Sequence, residues 1–143
     1  RYPVQIPTGL TPQEINLHLV GEVAIYQGDE IEVPLIEVAH ARSGDKGNHS
    51  NIGVIARKAE YLPWIRAALT EQAVAEYMQH VLDAEKSKVI RYELPAMNAM
   101  NFMLENALGG GGIASLRIDP QGKAFAQQLL DMPVKVPVQL LEK

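Results

Sequence analysis

The sequence predicts an α/β protein of the α+β sandwich type, in which helices cover one four-stranded sheet. Short apolar runs of strand length alternate along the chain with stretches of helical periodicity, which is the pattern of a sheet packed against helices. The chain has 143 residues and no cysteine. A single domain of this size can bury a sufficient core without disulfides.

Residues 1–33 differ from the rest and are interpreted as a lead-in rather than a domain, because prolines and glycines interrupt their short apolar stretches. Thr11-Pro12-Gln13-Glu14 has the form of a capping box and predicts a short helix through His18. The first residue is Arg1 instead of methionine. A trimmed N-terminus and a chain that is one part of a longer protein explain this equally. We expect the compact domain at residues 34–143.

The first two strands are predicted at residues 35–39 and 52–56, which are short apolar runs. Being apolar on both faces, they should lie inside a sheet covered by helices. The connection between them predicts a hairpin whose turn is longer than two residues.

A helix is predicted after Thr70, whose side chain can cap it, with a third strand at residues 88–94 that Pro95 ends. The apolar residues of the helix recur at helical spacing and form a core-facing stripe, namely Val74, Tyr77, Met78, Val81 and Leu82.

The C-terminal third predicts a helix at residues 96–108, a fourth strand at 113–118 and a last helix at 122–132. The first of these helices places Asn98, Asn101 and Glu105 on one face. We therefore expect helical crossovers between the later strands.

Composition excludes several classes of function. The net charge is −4, with both signs mixed along the chain, so no basic stripe is present to bind nucleic acid. No apolar run approaches the roughly 20 residues of a membrane helix. The absence of cysteine favours a reducing compartment, and we expect a cytoplasmic protein without membrane contact or cofactor.

The polar turn between the first two strands is the strongest candidate site, since loops on rigid scaffolds commonly carry function. Its glycines can present N–H groups to an anion, and its cations can supply charge. A structural turn closed by its own Asp and Asn side chains is an equally open interpretation. The candidate ligand-binding residues here are Arg42, Ser43, Gly44, Asp45, Lys46, Gly47, Asn48 and Asn51.

The glycine run that follows the predicted helix adds three further candidates, Gly109, Gly110 and Gly111. One glycine suffices to end a helix, so four in a row indicate that something approaches the backbone closely. A ligand, a neighbouring subunit and the turn at Ser43 are the alternatives, beside a flexible hinge.

Acid–base chemistry has two candidates, Asp45 and His49, with Arg42 as the partner of an oxyanion. The spacing of His40, Asp45 and His49 matches no metal-binding pattern, so no metal is expected. Ser43 and Ser50 lack the Gly-x-Ser-x-Gly elbow of a nucleophile and are interpreted as turn or capping residues.

Several segments together resemble the C-terminal domain of the acyclic terpene utilisation protein A (AtuA-like) family. The resemblance covers about residues 34–133, although Asn48 and His49 stand where that pattern leads us to expect an acidic and a small residue. The segments are Ala39-His40-Ala41-Arg42-Ser43-Gly44-Asp45-Lys46-Gly47-Asn48, Asn51-Ile52-Gly53-Val54-Ile55-Ala56-Arg57, Arg91-Tyr92-Glu93-Leu94-Pro95, Asn101-Phe102 and Ala107-Leu108-Gly109-Gly110-Gly111.

The resemblance implies a ferredoxin-like fold, joined to a larger N-terminal domain or encoded beside it. It also implies a bacterial setting in which citronellol- and geraniol-type terpenes or related branched acids are degraded as CoA thioesters.

Three functions remain open on the sequence. The first is an accessory domain that binds an anionic, acyl-CoA-like small molecule between the turn and the glycine run. The second is an assembly domain for a larger partner. We also expect this chain to form a homo-oligomer. The third is a lyase- or hydratase-like catalytic domain.

Overall fold

The computed structural model describes residues 28–142. The helix predicted through His18 lies outside this part of the chain. The elements, in chain order, are strands β1 (Glu30–Pro34), β2 (Ala39–Lys46) and β3 (His49–Ala56), helices α1 (Leu62–Ala68) and α2 (Glu71–Tyr77), strands β4 (Lys88–Leu94) and β5 (Ala99–Glu105), helix α3 (Phe125–Leu130), strand β6 (Pro133–Pro137) and helix α4 (Val138–Leu141).

The main sheet has four antiparallel strands in the order β2-β3-β5-β4. A second sheet pairs β1 with β6, from Glu30 opposite Pro137 to Pro34 opposite Pro133. Strand β1 thus crosses the predicted start of the domain at residue 34. The domain boundary itself stays a prediction.

Helices cover one face of the main sheet, where α3 packs on β2 and α2 packs on β4. Most apolar strand residues on this inner face are buried, among them Ile52, Phe102 and Leu104. On the outer face, large apolar residues of β3 and β4 are exposed, including Ile55 and Tyr92. The predicted α+β class, a four-stranded sheet covered by helices, is confirmed.

Local chemistry explains the elements that were predicted well. The Thr70 hydroxyl accepts a hydrogen bond from the Ala73 N–H at 3.1 Å and so starts α2. Strand β4 has the predicted bounds and ends before Pro95. The hairpin of the first two long strands is also confirmed, although β2 begins only at Ala39 and residues 35–37 form a 3-10 turn.

The helix predicted at residues 96–108 is wrong. Pro95–Met97 is a 3-10 turn, Asn98 takes a left-handed conformation at φ 50°, and β5 follows as the partner of β4 in a hairpin. Met100 and Leu104 suit a helix face, but the fully buried side chains of Met100, Phe102 and Leu104 alternate with less buried ones. A period of two describes a strand with one covered face.

The strand predicted at residues 113–118 is also wrong. Gly112–Ala114 is a 3-10 turn, and the following residues belong to no strand. The apolar residues that suggested a buried strand are fully exposed in the structure, namely Ile113, Leu116 and Ile118. Strands β1 and β6 were not predicted.

Candidate functional site

The β2–β3 hairpin closes with a two-residue turn. Lys46 pairs with His49, which leaves only Gly47 and Asn48 between the strands. Gly47 has a φ of 65°, a left-handed value that glycine adopts without steric cost. The expectation of a longer turn is therefore wrong, and most of its predicted polar residues belong to the strands.

Because side chains alternate along a strand, these polar residues divide between two faces. Ser43 is opposite Ile52 and Asp45 is opposite Ser50, on the inner face that carries the helices. Arg42 and Lys46 lie on the outer face, on either side of Gly44. The structure thus separates Asp45 from the cations with which the sequence grouped it.

On the inner face, the hydroxyl groups of Ser43 and Ser50 make structural hydrogen bonds. The Ser43 hydroxyl accepts from the Ala126 N–H at 2.9 Å and donates to the Lys123 carbonyl oxygen at 3.1 Å, which ties β2 to the start of α3. The Ser50 hydroxyl donates to the Gly44 carbonyl oxygen at 3.1 Å. Both serines are buried, which agrees with their interpretation as structural residues.

A third cation, Lys123, reaches the outer face around the edge strand β2. Its Nζ atom lies 3.7 Å from Asp45 Oδ1 and 3.2 Å from the point where a Cβ on Gly44 would stand. The missing side chain of Gly44 thus makes room for this ammonium group. Lys123 is 79 positions from Gly44 in the sequence, and no spacing or motif pointed to it.

Arg42, Lys46 and Lys123 form a cluster around Gly44, which we call the cationic cluster. Within residues 28–142, the exposed Arg42 guanidinium has no hydrogen bond or ion pair with another side chain or carbonyl. Among the residues that the structure describes, Lys46 Nζ donates only to the Asp45 carbonyl oxygen, at 3.3 Å. The cluster therefore presents positive charge to solvent, reduced by the one Asp45 carboxylate.

Two asparagines continue the outer face beside this cluster. Asn51 lies opposite Gly44, and its Nδ2 donates to Asn101 Oδ1 at 3.2 Å. Gly53, in the same strand as Asn51, has no side chain to cover the Asn101 amide. Asn101 belongs to the site because β5 is a strand. The prediction of a helix at residues 96–108 did not place it beside Asn51.

The glycine run packs directly on the hairpin turn. Asn48 holds it, since Asn48 Oδ1 accepts from the Gly110 N–H at 2.7 Å and the Asn48 carbonyl oxygen accepts from the Leu108 N–H at 3.1 Å. The turn is therefore what approaches the glycines. The N–H groups of Gly110 and Gly111 bond to Asn48 and to the Leu108 carbonyl oxygen inside the fold, and neither is directed at a ligand.

The histidines lie apart from each other and from Asp45. His49 Nδ1 accepts from the Asn106 N–H at 2.9 Å, which uses its lone pair and leaves the proton on Nε2. His40 Nε2 contacts an Arg57 guanidinium nitrogen at 3.3 Å, near the far end of β2. Among the described residues, no three His, Cys, Asp or Glu side chains are grouped as a metal site.

Fold and site together define an α+β domain with a helix-covered inner sheet face and a cationic cluster on its outer face. A family model described as the AtuA ferredoxin-like domain matches residues 33–135. The chain belongs to this family, which confirms the resemblance and the ferredoxin-like fold. No curated protein and no solved structure matches it. No helix within residues 28–142 is long and apolar enough to span a bilayer.

Proposed function

We propose that this chain is an accessory domain that binds an anionic, acyl-CoA-like small molecule in terpenoid or branched-acid catabolism. The observation that carries the proposal is the cationic cluster, in which three positively charged side chains surround a glycine on an uncovered sheet face. The substrate class rests on the family resemblance, since acyclic terpenes are degraded as CoA thioesters.

Chemistry favours a phosphate or carboxylate as the bound group. An arginine guanidinium donates two parallel hydrogen bonds to such an anion, and lysine ammonium groups add charge from either side. Arg42 is free for this role, whereas Lys123 must share its charge with Asp45. Arg42 and Lys46 are exposed and the Lys123 side chain is 58% exposed, so the binding depends strongly on salt.

The proposal and the hypothesis from the sequence assign the anion to different groups of the protein. The glycine run was expected to cradle it, but Asn48 and Leu108 already accept the N–H groups of Gly110 and Gly111. We assign the anion to the side chains of the outer face, with Gly44 and Asn51 beside it. The glycine run instead stabilises the hairpin turn by packing on it.

Calorimetric titration with a series of CoA esters tests the proposal. We expect Arg42→Ala and Lys46→Ala each to weaken binding about tenfold, the loss of one charge-assisted hydrogen bond. Lys88→Ala is the matched control, because Lys88 is an exposed lysine on the opposite edge strand of the same sheet, and it should change the affinity less than twofold. Unchanged binding of every ester by Lys46→Ala and Arg42→Ala contradicts the proposal.

A lyase- or hydratase-like function finds less support in the geometry. Asp45 lies on the inner face and pairs with Lys123, while His49 lies on the outer face with its Nδ1 lone pair engaged. The two candidate bases therefore do not converge on one cleft with Arg42. A pH–rate profile that changes on replacing both Asp45 and His49 is the result that favours catalysis.

A further inference from the structure

Gly53 lies at the centre of the outer sheet face, in a strand that is paired on both sides. Neither backbone nor packing requires a glycine there. Its φ is not left-handed, and a Cβ would meet only the Arg42 carbonyl oxygen at 3.8 Å and Asn101 Oδ1 at 3.9 Å, which are ordinary contact distances. Gly44, by contrast, makes room for Lys123. Because glycine weakens the interior of a strand, its presence at position 53 indicates that a ligand approaches the backbone closely.

Gly53 belongs to a row of four residues that crosses the sheet. Arg42 is its partner in β2, Asn101 is its partner in β5, and Tyr92 of β4 pairs with Asn101. All four lie on the outer face, opposite the helices. We call these four residues the outer row. Neighbouring strands are about 4.8 Å apart, so the Cα atoms of Arg42 and Tyr92 are separated by roughly 14 Å.

The outer row offers three kinds of contact in a fixed order. At one end, the Arg42 guanidinium of the cationic cluster can donate to a phosphate. Further along, Asn101 Oδ1 accepts from Asn51 Nδ2 at 3.2 Å, while the Asn101 Nδ2 group has no partner within residues 28–142. At the other end, Tyr92 is 51% exposed and presents an aromatic ring. Charge, an amide donor and a ring therefore follow one another across the gap at Gly53.

A nucleotide carries its chemical groups in the same order. Its phosphates are anionic, its ribose is compact, and its base is planar with nitrogen atoms that accept hydrogen bonds. When the phosphates lie at the cationic cluster, the ribose lies over Gly53, Asn101 Nδ2 donates to the base, and the base stacks on Tyr92. A pantetheine arm and its acyl chain have no planar ring for Tyr92. The outer row therefore suits the nucleotide end of CoA better than its acyl end.

We propose that the outer row binds the 3′-phosphorylated adenine nucleotide of CoA and that the acyl group takes no part in this recognition. The inference rests on the proposed function, of which it names the recognised part. Three cations, Arg42, Lys46 and Lys123, match a nucleotide that is phosphorylated on both the 3′ and the 5′ oxygen of its ribose. The domain should then accept CoA esters of different acyl chains with similar affinity.

Calorimetric titration of the full chain with parts of the ligand tests which end of CoA is bound. Adenosine 3′,5′-bisphosphate represents the nucleotide end, and octanoyl-pantetheine represents the acyl end. We expect the bisphosphate to bind within about threefold of octanoyl-CoA and octanoyl-pantetheine to show no binding, because the arm makes few contacts with the row. ADP, which lacks the 3′-phosphate, should bind at least about fivefold more weakly than the bisphosphate.

Two variants of the outer row separate base recognition from phosphate binding. Tyr92→Leu keeps an apolar side chain but removes the ring, and it should weaken binding of the bisphosphate about tenfold. Gly53→Val fills the gap and should weaken binding at least about tenfold, but valine suits a central strand, so the melting temperature should not fall. Inorganic diphosphate reaches only the cationic cluster and should bind both variants as it binds the wild type. Met97→Ala, at an exposed position in the turn between β4 and β5, is the control and should bind the bisphosphate normally.

Each failure contradicts a different claim. If octanoyl-CoA binds and Arg42→Ala weakens it, but the bisphosphate does not bind, the inference is overturned and the proposed function stands. If neither ligand binds, both are overturned. ADP that binds as tightly as the bisphosphate overturns the assignment to CoA in favour of adenine nucleotides in general. Wild-type affinity of Tyr92→Leu and Gly53→Val for the bisphosphate removes the outer row from the binding site and overturns the inference as well.

Discussion

Gly111 lies against the peptide group of Gly47, so closely that a Cβ on Gly111 would stand 2.6 Å from the Gly47 carbonyl carbon. The two residues are 64 positions apart in the sequence. Their contact fixes the hairpin turn to the segment that follows the glycine run, and it explains why a glycine is needed at position 111. The hairpin that carries Arg42 and Lys46 of the cationic cluster is thus held against the glycine run.

Gly111→Ala should destabilise the protein strongly. The added Cβ meets backbone atoms that cannot move aside, and the φ of 73° is unfavourable for alanine. We expect a loss of about 3 kcal/mol in the free energy of unfolding, measured with denaturant. Gly112→Ala is the control, because Gly112 also has a positive φ but nothing within 4 Å of its Cβ position, so it should lose only about 1 kcal/mol. Equal losses from the two variants contradict the close contact.

Ser43→Ala should weaken the attachment of α3 to β2 and so destabilise the protein. The buried hydroxyl serves the Ala126 N–H and the Lys123 carbonyl oxygen, and both lose their partner in the variant. Urea unfolding should show a loss of about 2 kcal/mol. Thr70→Ala removes the exposed cap of α2 and should cost about half as much. A Ser43→Ala protein as stable as the wild type rules out the structural role.

The hairpin, β4 and the start of α2 could be predicted because their signals are local. The apolar runs, Pro95 and the Thr70 cap each act within a few residues. Strand β5 could not be told from a helix in the same way, since Met97, Met100, Leu104 and Leu108 fit a helical period as well. Pairing with β3 and β4 decides its structure, and that pairing is a long-range property.

The same distinction between local and long-range signals applies to the residues of the candidate site. Arg42, Gly44 and Lys46 are close in sequence and were found from the local pattern of a polar, glycine-bearing segment between two apolar runs. Lys123 and Asn101 join them only through the fold, one around the edge of β2 and the other from β5. The face on which each residue lies depends on the register, which the two-residue turn sets.

Asn48→Ala should loosen the glycine run without unfolding the hairpin. The variant loses the side-chain acceptor of the Gly110 N–H and the donor to Asn106 Oδ1, but keeps the Asn48 carbonyl. We expect the Gly110 amide to exchange with deuterium at least about tenfold faster. The Gly111 amide, which bonds to the Leu108 carbonyl oxygen, is the internal reference and should keep most of its protection. Unchanged exchange at Gly110 means that Asn48 does not hold the run.

Asp45→Asn separates binding from catalysis, because the two functions predict opposite results. Asp45 competes with any bound anion for Lys123, whose Nζ lies 3.7 Å from the carboxylate. Removing the negative charge should therefore strengthen anion binding by up to about fivefold at low salt, with little change in stability for such an exposed pair. Glu60→Gln is the control for net charge, since Glu60 is exposed and lies outside the cationic cluster. If Asp45→Asn instead abolishes turnover of a CoA ester while binding is unchanged, Asp45 acts as a base and the binding assignment fails.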